Sequence, residues 1–156
     1  FLKKKIYKIS NTNKEELKKK ITLVIIGGSQ GAQVFDEELK YTILEISKKF
    51  KLFVYQQTSK KNFKDIESLY KENNIDFKLF NFDEKIFEYI SMSNLAITRC
   101  GASALSELAF LQVPFIAIPY PYAKDNHQFE NAIFFQNMNY GWLFDQTKLK
   151  TVMLPT

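Results

Sequence analysis

The apolar residues of this 156-residue chain follow two alternating spacings. The run ITLVII (21–26) is apolar throughout, which is typical of a strand buried on both faces of a parallel sheet. Apolar residues then recur every three or four positions, at Phe35, Leu39, Ile43, Ile46 and Phe50. This spacing, with charged residues between, predicts an amphipathic helix that packs on the sheet.

The same alternation continues along the rest of the chain. Further strands are predicted at KLFVYQQ (51–57), DFKLFNF (76–82), NLAIT (94–98), PFIAIPY (114–120) and GWLFDQ (141–146), and helices at about 60–73, 84–92, 103–112 and 126–138. Strands that alternate with helices of this length indicate parallel strands joined by right-handed crossovers. The predicted fold class is therefore α/β, a doubly wound parallel sheet of the Rossmann-like kind.

Composition favours a single globular domain over 21–150, since 46% of the residues are hydrophobic and 25% are charged. Eight lysines fall in a lead of residues 1–20, and the rest of the chain is nearly balanced although the net charge is +5. We interpret this lead as a solvated linker or helix face, and we predict no nucleic-acid binding. The first residue is not Met and the tail, 151–156, has no closing element, as expected of a part excised from a longer protein.

Metal, disulfide and membrane-spanning functions are not predicted. No stretch approaches the roughly 20 apolar residues of a membrane span, and the single cysteine, Cys100, can form no disulfide within the chain, which fits a reducing cytoplasm. A single histidine, His127, has no partner ligand, and no Asp-x-Asp pair occurs. No cofactor is therefore expected.

Three of the five glycines lie close together at the exit of the first strand, in GGSQG: Gly27, Gly28 and Gly31, with Ser29 and Gln30 between them. The spacing matches neither the dinucleotide fingerprint nor a P-loop. Two interpretations stay open: a tight strand-to-helix turn, or a loop whose amides and Ser29 hydroxyl bind a phosphate at a helix N-terminus.

A second strand exit, RCGASALSELA (99–109), repeats this design, because Gly101 turns the chain before small residues open a helix. Arg99 is the only arginine, and its planar fork suits either oxygen recognition or a buried salt bridge. Glu107 either stabilises the start of the helix or accepts the hydroxyls of a ribose. Cys100 is either a packed or a reactive residue.

The third informative segment is PYPYAKDNHQFENA (119–132), at the entry to a helix. Asp125 or Asn126 is predicted to be the N-cap. His127 is interpreted as a capping or surface residue rather than a catalytic one. Gln128 and Asn131 lie one helical turn apart, so their amides can face the hydroxyls of a sugar together.

GGSQGA, RCGASALSELA and PYPYAKDNHQFENA, in this order and at these separations, resemble the C-terminal half of the MurG family. The resemblance covers roughly 21–146 and implies the C-terminal lobe of a GT-B glycosyltransferase. It implies an inverting N-acetylglucosaminyltransferase of peptidoglycan synthesis, with UDP-N-acetylglucosamine as donor and lipid I as acceptor. The N-terminal acceptor lobe is absent from this sequence, so the lobe alone should not turn over. The implied location is cytoplasmic, peripheral on the inner face of the bacterial inner membrane.

The resemblance also implies roles for residues. Ser29 in the glycine-rich motif would meet the diphosphate, the backbone at Asp83 would contact uracil, and Gln128 would hold the sugar hydroxyls. The nucleotide would be lined by Ala102, Ser103, Ala104, Leu105, Ser106 and Glu107, with Glu107 on the ribose. No residue of the chain is predicted to be the catalytic base.

Two alternatives stay open. The chain is either a lobe of another GT-B transferase, with a different sugar nucleotide or glycolipid acceptor, or a degenerate lobe that binds a partner chain. The second is motivated by Ala104, where the family often has a hydroxyl residue near the phosphates. A nicotinamide-binding domain is disfavoured by the glycine spacing.

Overall fold

The computed structural model describes residues 20–149, except for the side chains of Ser29 and Gln30 and the burial of Gly31. The strands are β1 (Ile21–Ile26), β2 (Leu52–Gln57), β3 (Asp76–Phe80), β4 (Leu95–Thr98), β5 (Phe115–Ala117) and β6 (Gly141–Leu143). The helices are α1 (Gly28–Ser47), α2 (Phe63–Glu72), α3 (Ile86–Ser91), α4 (Ala102–Phe110) and α5 (His127–Asn137), with short 3₁₀ turns at Lys124–Asn126 and Gln146–Lys148. The predicted lead, apart from Lys20, and the predicted tail lie outside the described residues.

All six strands form one parallel sheet in the order β3-β2-β1-β4-β5-β6. The chain moves from β1 outward to β3, then returns and moves from β4 outward to β6. The predicted doubly wound α/β fold is confirmed. The order reverses between β1 and β4, where Ile26 pairs with Thr98. In such sheets ligands bind beyond the carboxyl ends of the strands at this switch point.

Helices cover both faces of the sheet, and alternate residues of β1 explain its uniformly apolar sequence. Leu23 and Ile25 belong to one core with residues of α1 and α2, while Val24 belongs to a second core with residues of α4 and α5. Because successive side chains of a strand point to opposite faces, both sets are buried and both must be apolar. The two cores hold the strand ends, and therefore the loops that follow them, in fixed positions.

Several predicted boundaries are wrong, and strand β6, for example, ends at Leu143 instead of residue 146. Helix α1 begins at Gly28, so the glycine-rich motif is its first turn and not a loop ahead of it. Strand β5 ends at Ala117 instead of continuing to residue 120. Pro119 explains the early end, because proline has no N–H to continue the ladder.

Candidate functional site

The glycine-rich motif forms a helix N-terminus at the end of β1. Gly27 is the N-cap, and Gly28 has a φ of +68°, a left-handed conformation that glycine adopts without strain. The N–H of Gly28 donates to Oε1 of Gln57 at 2.8 Å. The first N–H groups of a helix have no acceptor within the helix, so the following amides of this turn are available to an anion. The roles of Ser29, Gln30 and Gly31 stay predictions.

A second helix N-terminus lies at the end of the neighbouring strand, β4. Gly101 is the extended N-cap of α4. Ala102, Ser103 and Ser106 are exposed, whereas Ala104 and Glu107 are half-buried. The Ser103 hydroxyl donates to the Glu107 carboxylate at 3.0 Å. The two side chains lie together on the exposed face of α4, where the carboxylate can accept further hydrogen bonds.

Leu105, predicted to line a ligand, lies in the core. Its side chain is fully buried against the second core, and its N–H donates to the Gly101 carbonyl at 3.1 Å. Leu105 therefore stabilises the packing of α4 on the sheet and offers no side-chain surface to a ligand.

Arg99 is buried behind these turns. Its Nη1 donates to the carbonyls of Ile118 and Pro119 at 3.2 and 3.3 Å. The guanidinium lies over the rings of Phe35 and Tyr120, at 4.7 and 5.6 Å from their centres. No acidic partner pairs with it among residues 20–149, so the predicted alternative of a buried salt bridge is wrong. Burial lowers the pKa of this guanidinium.

The predicted sugar-facing amides fasten α5 to the strand ends. Oε1 of Gln128 accepts the N–H groups of Tyr120 and Cys100 at 2.9 and 3.4 Å. Nδ2 of Asn131 donates to the carbonyl of Cys100 at 3.0 Å. Within the described part of the chain, Nε2 of Gln128 and Oδ1 of Asn131 have no hydrogen-bond partner. Each amide thus keeps one group for a ligand while the other holds the backbone.

The entry to α5 confirms Asn126 as the N-cap, although its side chain makes no capping bond. Asp125 and Asn126 both have a φ of 56°, in the left-handed region. Nδ1 of His127 lies 2.5 Å from the carbonyl of Lys124. His127 therefore closes the turn before α5, as its interpretation as a capping residue predicts.

The loop between β3 and α3 is held by Asp83. Its carboxylate accepts the Tyr89 hydroxyl at 2.7 Å and the N–H of Lys85 at 2.9 Å. The first of these bonds is the main reason that the pKa of Asp83 lies below its usual value. Its carbonyl accepts the N–H of Ile86 at 3.3 Å, so its own N–H is the backbone group left for a ligand. The preceding residue, Phe82, is 83% exposed.

Two side chains that were not predicted from the sequence, Gln57 and Asn81, connect the ends of the strands. Gln57, which accepts from Gly28, also donates through Nε2 to the Asn81 carbonyl at 3.2 Å. Asn81 in turn donates to the carbonyl of Thr58 at 3.3 Å. The signal in the sequence was the pair of glutamines that ends the otherwise apolar β2.

Cys100 is a packed residue. It is fully buried, and burial raises the pKa of its thiol to about 12. A thiol of this pKa is protonated at neutral pH and is a poor nucleophile. In the range 20–149, no group of three or more His, Cys, Asp or Glu side chains could hold a metal ion.

Fold and site together define a class. The protein is a doubly wound parallel α/β domain, in which the adjacent strands β1 and β4 each lead into a helix N-terminus and a third loop follows β3. Many α/β domains that bind nucleotides have this architecture. The chain belongs to glycosyltransferase family 28, because a family model described as the glycosyltransferase family 28 C-terminal domain matches residues 22–155.

Individual relatives agree with this assignment. The chain is 47% identical over 129 residues, 83% of its length, to a protein of Pelagibacter ubique named UDP-N-acetylglucosamine--N-acetylmuramyl-(pentapeptide) pyrophosphoryl-undecaprenol N-acetylglucosamine transferase. A protein of the same name from Rickettsia typhi is 35% identical over 99% of the chain. The chain spans 36% and 39% of the lengths of these two relatives. The resemblance to the MurG family inferred from the motifs is confirmed.

Solved structures show the same fold. The crystal structure of MurG from Acinetobacter baumannii matches with a TM-score of 0.75 at 24% identity, covering 94% of this chain and 42% of that one. The solution structure of ALG13 matches with a TM-score of 0.56 at 17% identity, covering 87% of this chain and 84% of that one. Among residues 20–149, none of the helices has the length and the hydropathy of a membrane span.

Proposed function

We propose that this chain is the donor-binding domain of an inverting N-acetylglucosaminyltransferase. The donor is UDP-N-acetylglucosamine, and the acceptor is undecaprenyl-diphospho-N-acetylmuramoyl-pentapeptide, lipid I, which becomes lipid II in peptidoglycan synthesis. The name and the 47% identity of the P. ubique relative support this assignment. The proposed location is the cytoplasmic face of the bacterial inner membrane, where this acceptor would be reached.

One observation carries the proposal: α1 and α4 begin at the carboxyl ends of two adjacent strands. Ile26, at the end of β1, pairs with Thr98, at the end of β4, so Gly28 and Ala102 start their helices at the same edge of the sheet. Each helix N-terminus carries the equivalent of roughly half a positive charge. Two of them together can neutralise a diphosphate by backbone amides alone, without a metal ion.

The flanking residues suit the rest of the donor. Glu107, half-buried one turn into α4, would accept the two ribose hydroxyls, and its carboxylate is held by the Ser103 hydroxyl. The N–H of Asp83 would contact the base. The free amide groups of Gln128 and Asn131 would bind the sugar hydroxyls, since their other groups already hold the backbone.

In this mechanism the described residues bind and orient the donor. The dipoles of α1 and α4 stabilise the negative charge that develops on the departing UDP, which is electrostatic stabilisation of the leaving group. No described residue is proposed as the base that removes the proton of the acceptor hydroxyl or as part of the acceptor site; both would belong to the part of the P. ubique relative that this chain does not span. The domain alone is expected to bind donor without transferring sugar.

The test is calorimetric titration of the chain with UDP-N-acetylglucosamine in the presence of a chelator. We expect binding that Glu107→Gln weakens by about tenfold, since the ribose would lose hydrogen bonds to a charged acceptor. Glu37→Gln is the matched control, because Glu37 accepts from Gln33 at 3.0 Å across the same i, i+4 spacing on the exposed face of α1. A folded chain that binds no donor, or an equal loss in both variants, would contradict the proposal.

Competition separates this donor from others. UDP-N-acetylgalactosamine differs only at the 4-hydroxyl, which the amides of Gln128 and Asn131 are proposed to recognise. We expect the gluco donor to bind more tightly, and Gln128→Glu to reduce that preference. An inverted preference would favour another sugar-nucleotide transferase of the GT-B fold.

A further inference from the structure

Gln57 connects two separate parts of the proposed donor site. It is the last residue of β2 and is half-buried. Its Oε1 accepts the N–H of Gly28, in the turn proposed to bind the diphosphate, at 2.8 Å. Its Nε2 donates to the carbonyl of Asn81, in the loop proposed to bind the base, at 3.2 Å. One side chain thus spans α1 and the loop that follows β3.

On the α1 side, the bond fixes the direction of the first turn. Gly28 is in the left-handed conformation, with a φ of +68°, while the residues after it are helical. Its N–H points back toward β2, where Gln57 is the acceptor. This amide is therefore not offered to a ligand, and the amides of the next residues are. Without the bond, a half-buried N–H would have to find another partner, and the turn would rotate.

On the β3 side, Gln57 acts with its neighbours. The N–H of Thr58 donates to the carbonyl of Phe80 at 2.7 Å, and Nδ2 of Asn81 donates to the carbonyl of Thr58 at 3.3 Å. These bonds fasten the loop to the end of β2. Of the two side chains that make these bonds, Gln57 and Asn81, Gln57 is the one that also reaches α1, so it sets the position of the loop relative to the helix.

We infer that Gln57 is a positioning residue that fixes the spacing between the diphosphate turn and the base loop. This inference rests on the proposed function. A ligand that touches both parts at once gains from a fixed spacing, because the protein then loses little freedom on binding. A ligand that touches only one part gains much less. Gln57 should therefore matter most for a nucleoside diphosphate and least for its separate pieces.

The test compares three probes: UDP, uridine and inorganic pyrophosphate, each titrated into the chain and followed by NMR. Gln57→Met keeps the length of the side chain and removes both hydrogen bonds. We expect it to weaken the binding of UDP by about tenfold, because both hydrogen bonds that join the two parts of the site are lost. The factor by which Gln57→Met raises the Kd should be larger for UDP than the product of the factors for uridine and pyrophosphate.

The matched control is Gln136→Met. Oε1 of Gln136 accepts the N–H of Leu143 at 2.7 Å, a tether of the same kind between α5 and β6. This variant should lower the melting temperature without changing the affinity of any probe. A common loss for all three probes in Gln57→Met, or the same loss in Gln136→Met, would show that Gln57 only stabilises the fold and would overturn the inference.

Amide hydrogen exchange of the ligand-free chain gives a second readout. In Gln57→Met, exchange should become faster both at Gly28 and at 81–83. Unchanged rates at either place would overturn the inference that Gln57 holds the two parts together. Loss of the positioning role and loss of the proposed function give different results. If the wild-type chain binds UDP and Gln57→Met binds it equally well, only the positioning role fails; if the folded wild-type chain binds no UDP, the proposed function fails and the positioning role with it.

Discussion

Gln56 on β2 donates through Nε2 to the carboxylate of Asp36 on α1 at 2.9 Å, in the interior of the domain. The Tyr70 hydroxyl of α2 donates to Oε1 of the same glutamine at 2.5 Å. The other carboxylate oxygen of Asp36 accepts the N–H and the hydroxyl of Ser59, both at 2.9 Å. These four residues join α1, α2 and the end of β2, so the helix that starts at the glycine-rich turn is held by polar bonds as well as by apolar packing.

Asp36→Asn should change the pH dependence of stability. Burial raises the pKa of the Asp36 carboxyl above its usual value, so the unfolded chain loses this proton at a lower pH than the folded one. The contribution of Asp36 to the free energy of unfolding should therefore fall as the pH rises from about 4 through the folded pKa, and the uncharged amide of the variant has no such contribution. We expect the stability difference, wild type minus variant, to decrease between about pH 4 and pH 7.

Urea unfolding of both proteins at several pH values measures this difference. At neutral pH we expect the variant to be less stable by about 1–3 kcal/mol, because an amide cannot accept from Ser59 and Gln56 on both sides. Other titrating groups are common to the two proteins and cancel. A difference that is constant, or that increases with pH, would show that the buried carboxyl does not titrate as expected.

Tyr89→Phe should raise the pKa of Asp83. The hydroxyl of Tyr89 is the largest cause that holds this carboxyl below its usual pKa, and the N–H of Lys85 is the next. Removing the hydroxyl leaves the backbone bond alone, so the pKa should move partway back. The carbon resonance of the Asp83 carboxyl, followed by NMR as the pH is lowered, gives the value directly.

The control for this prediction is Tyr55→Phe. Tyr55 stacks on Tyr89 with ring centres 4.5 Å apart, but its hydroxyl reaches only the sulfur of Met92, at 4.0 Å. The pKa of Asp83 should stay where it is in this variant. Equal shifts in the two variants would mean that the loss of any nearby hydroxyl has this effect, and that the hydrogen bond from Tyr89 is not what holds the pKa of Asp83 down.

Cys100 should react slowly with thiol reagents in the folded chain. Its side chain is fully buried, and its thiol has a pKa raised to about 12 by that burial. Since the thiolate is the reacting form, we expect a rate at about pH 8 that is at least ~100-fold lower than in urea. Absorbance with a disulfide reagent measures both rates. Comparable rates would mean that the loop after β4 opens readily.

Much of the fold could be predicted from the sequence because burial on two faces leaves a clear pattern. The uninterrupted run around Val24 has this form, since Leu23 and Ile25 are needed by one core and Val24 by the other. Boundaries were harder. The start of α1 was missed because glycines disfavour helix by propensity. Here Gly28 begins the helix with a left-handed φ, and its N–H is bonded to Gln57 on β2.

The loops of the candidate site could be predicted from the sequence, but the contacts of its side chains could not. Gly101, Glu107 and Gln128 lie at strand exits that the sequence could locate. Arg99 was expected either to recognise oxygens or to form a buried salt bridge. It donates to the backbone carbonyls of Ile118 and Pro119, which follow β5, and this choice of acceptors could not be predicted. Gln57 was not singled out at all. Both depend on partners that are about 20 to 30 residues away, and single-sequence spacing carries no information about such partners.

Gly141 and Gly101 differ in the space around the position of a Cβ atom. A Cβ at Gly141 would overlap the carbonyl oxygen and the ring of Phe115, its partner in the pairing of β5 and β6. Gly141→Ala should therefore cost about 1–3 kcal/mol of unfolding free energy. At Gly101 a Cβ would meet nothing within 4 Å, and the φ of −65° suits any residue. Gly101→Ala should cost no more than about 1 kcal/mol as an N-cap change.

The effect on UDP affinity should be the reverse of the effect on stability: Gly101→Ala should lower the affinity more than Gly141→Ala does. If the bare backbone at Gly101 is there to let a phosphate approach the start of α4, then Gly101→Ala weakens UDP even though the fold tolerates the methyl group. Gly141 lies in β6, the edge strand farthest from β3, so Gly141→Ala should leave the affinity of the folded fraction unchanged. Urea unfolding and UDP titration of both variants give the four values. A Gly101→Ala chain that binds UDP as the wild type does would remove α4 from the diphosphate site and leave α1 as its remaining helix N-terminus.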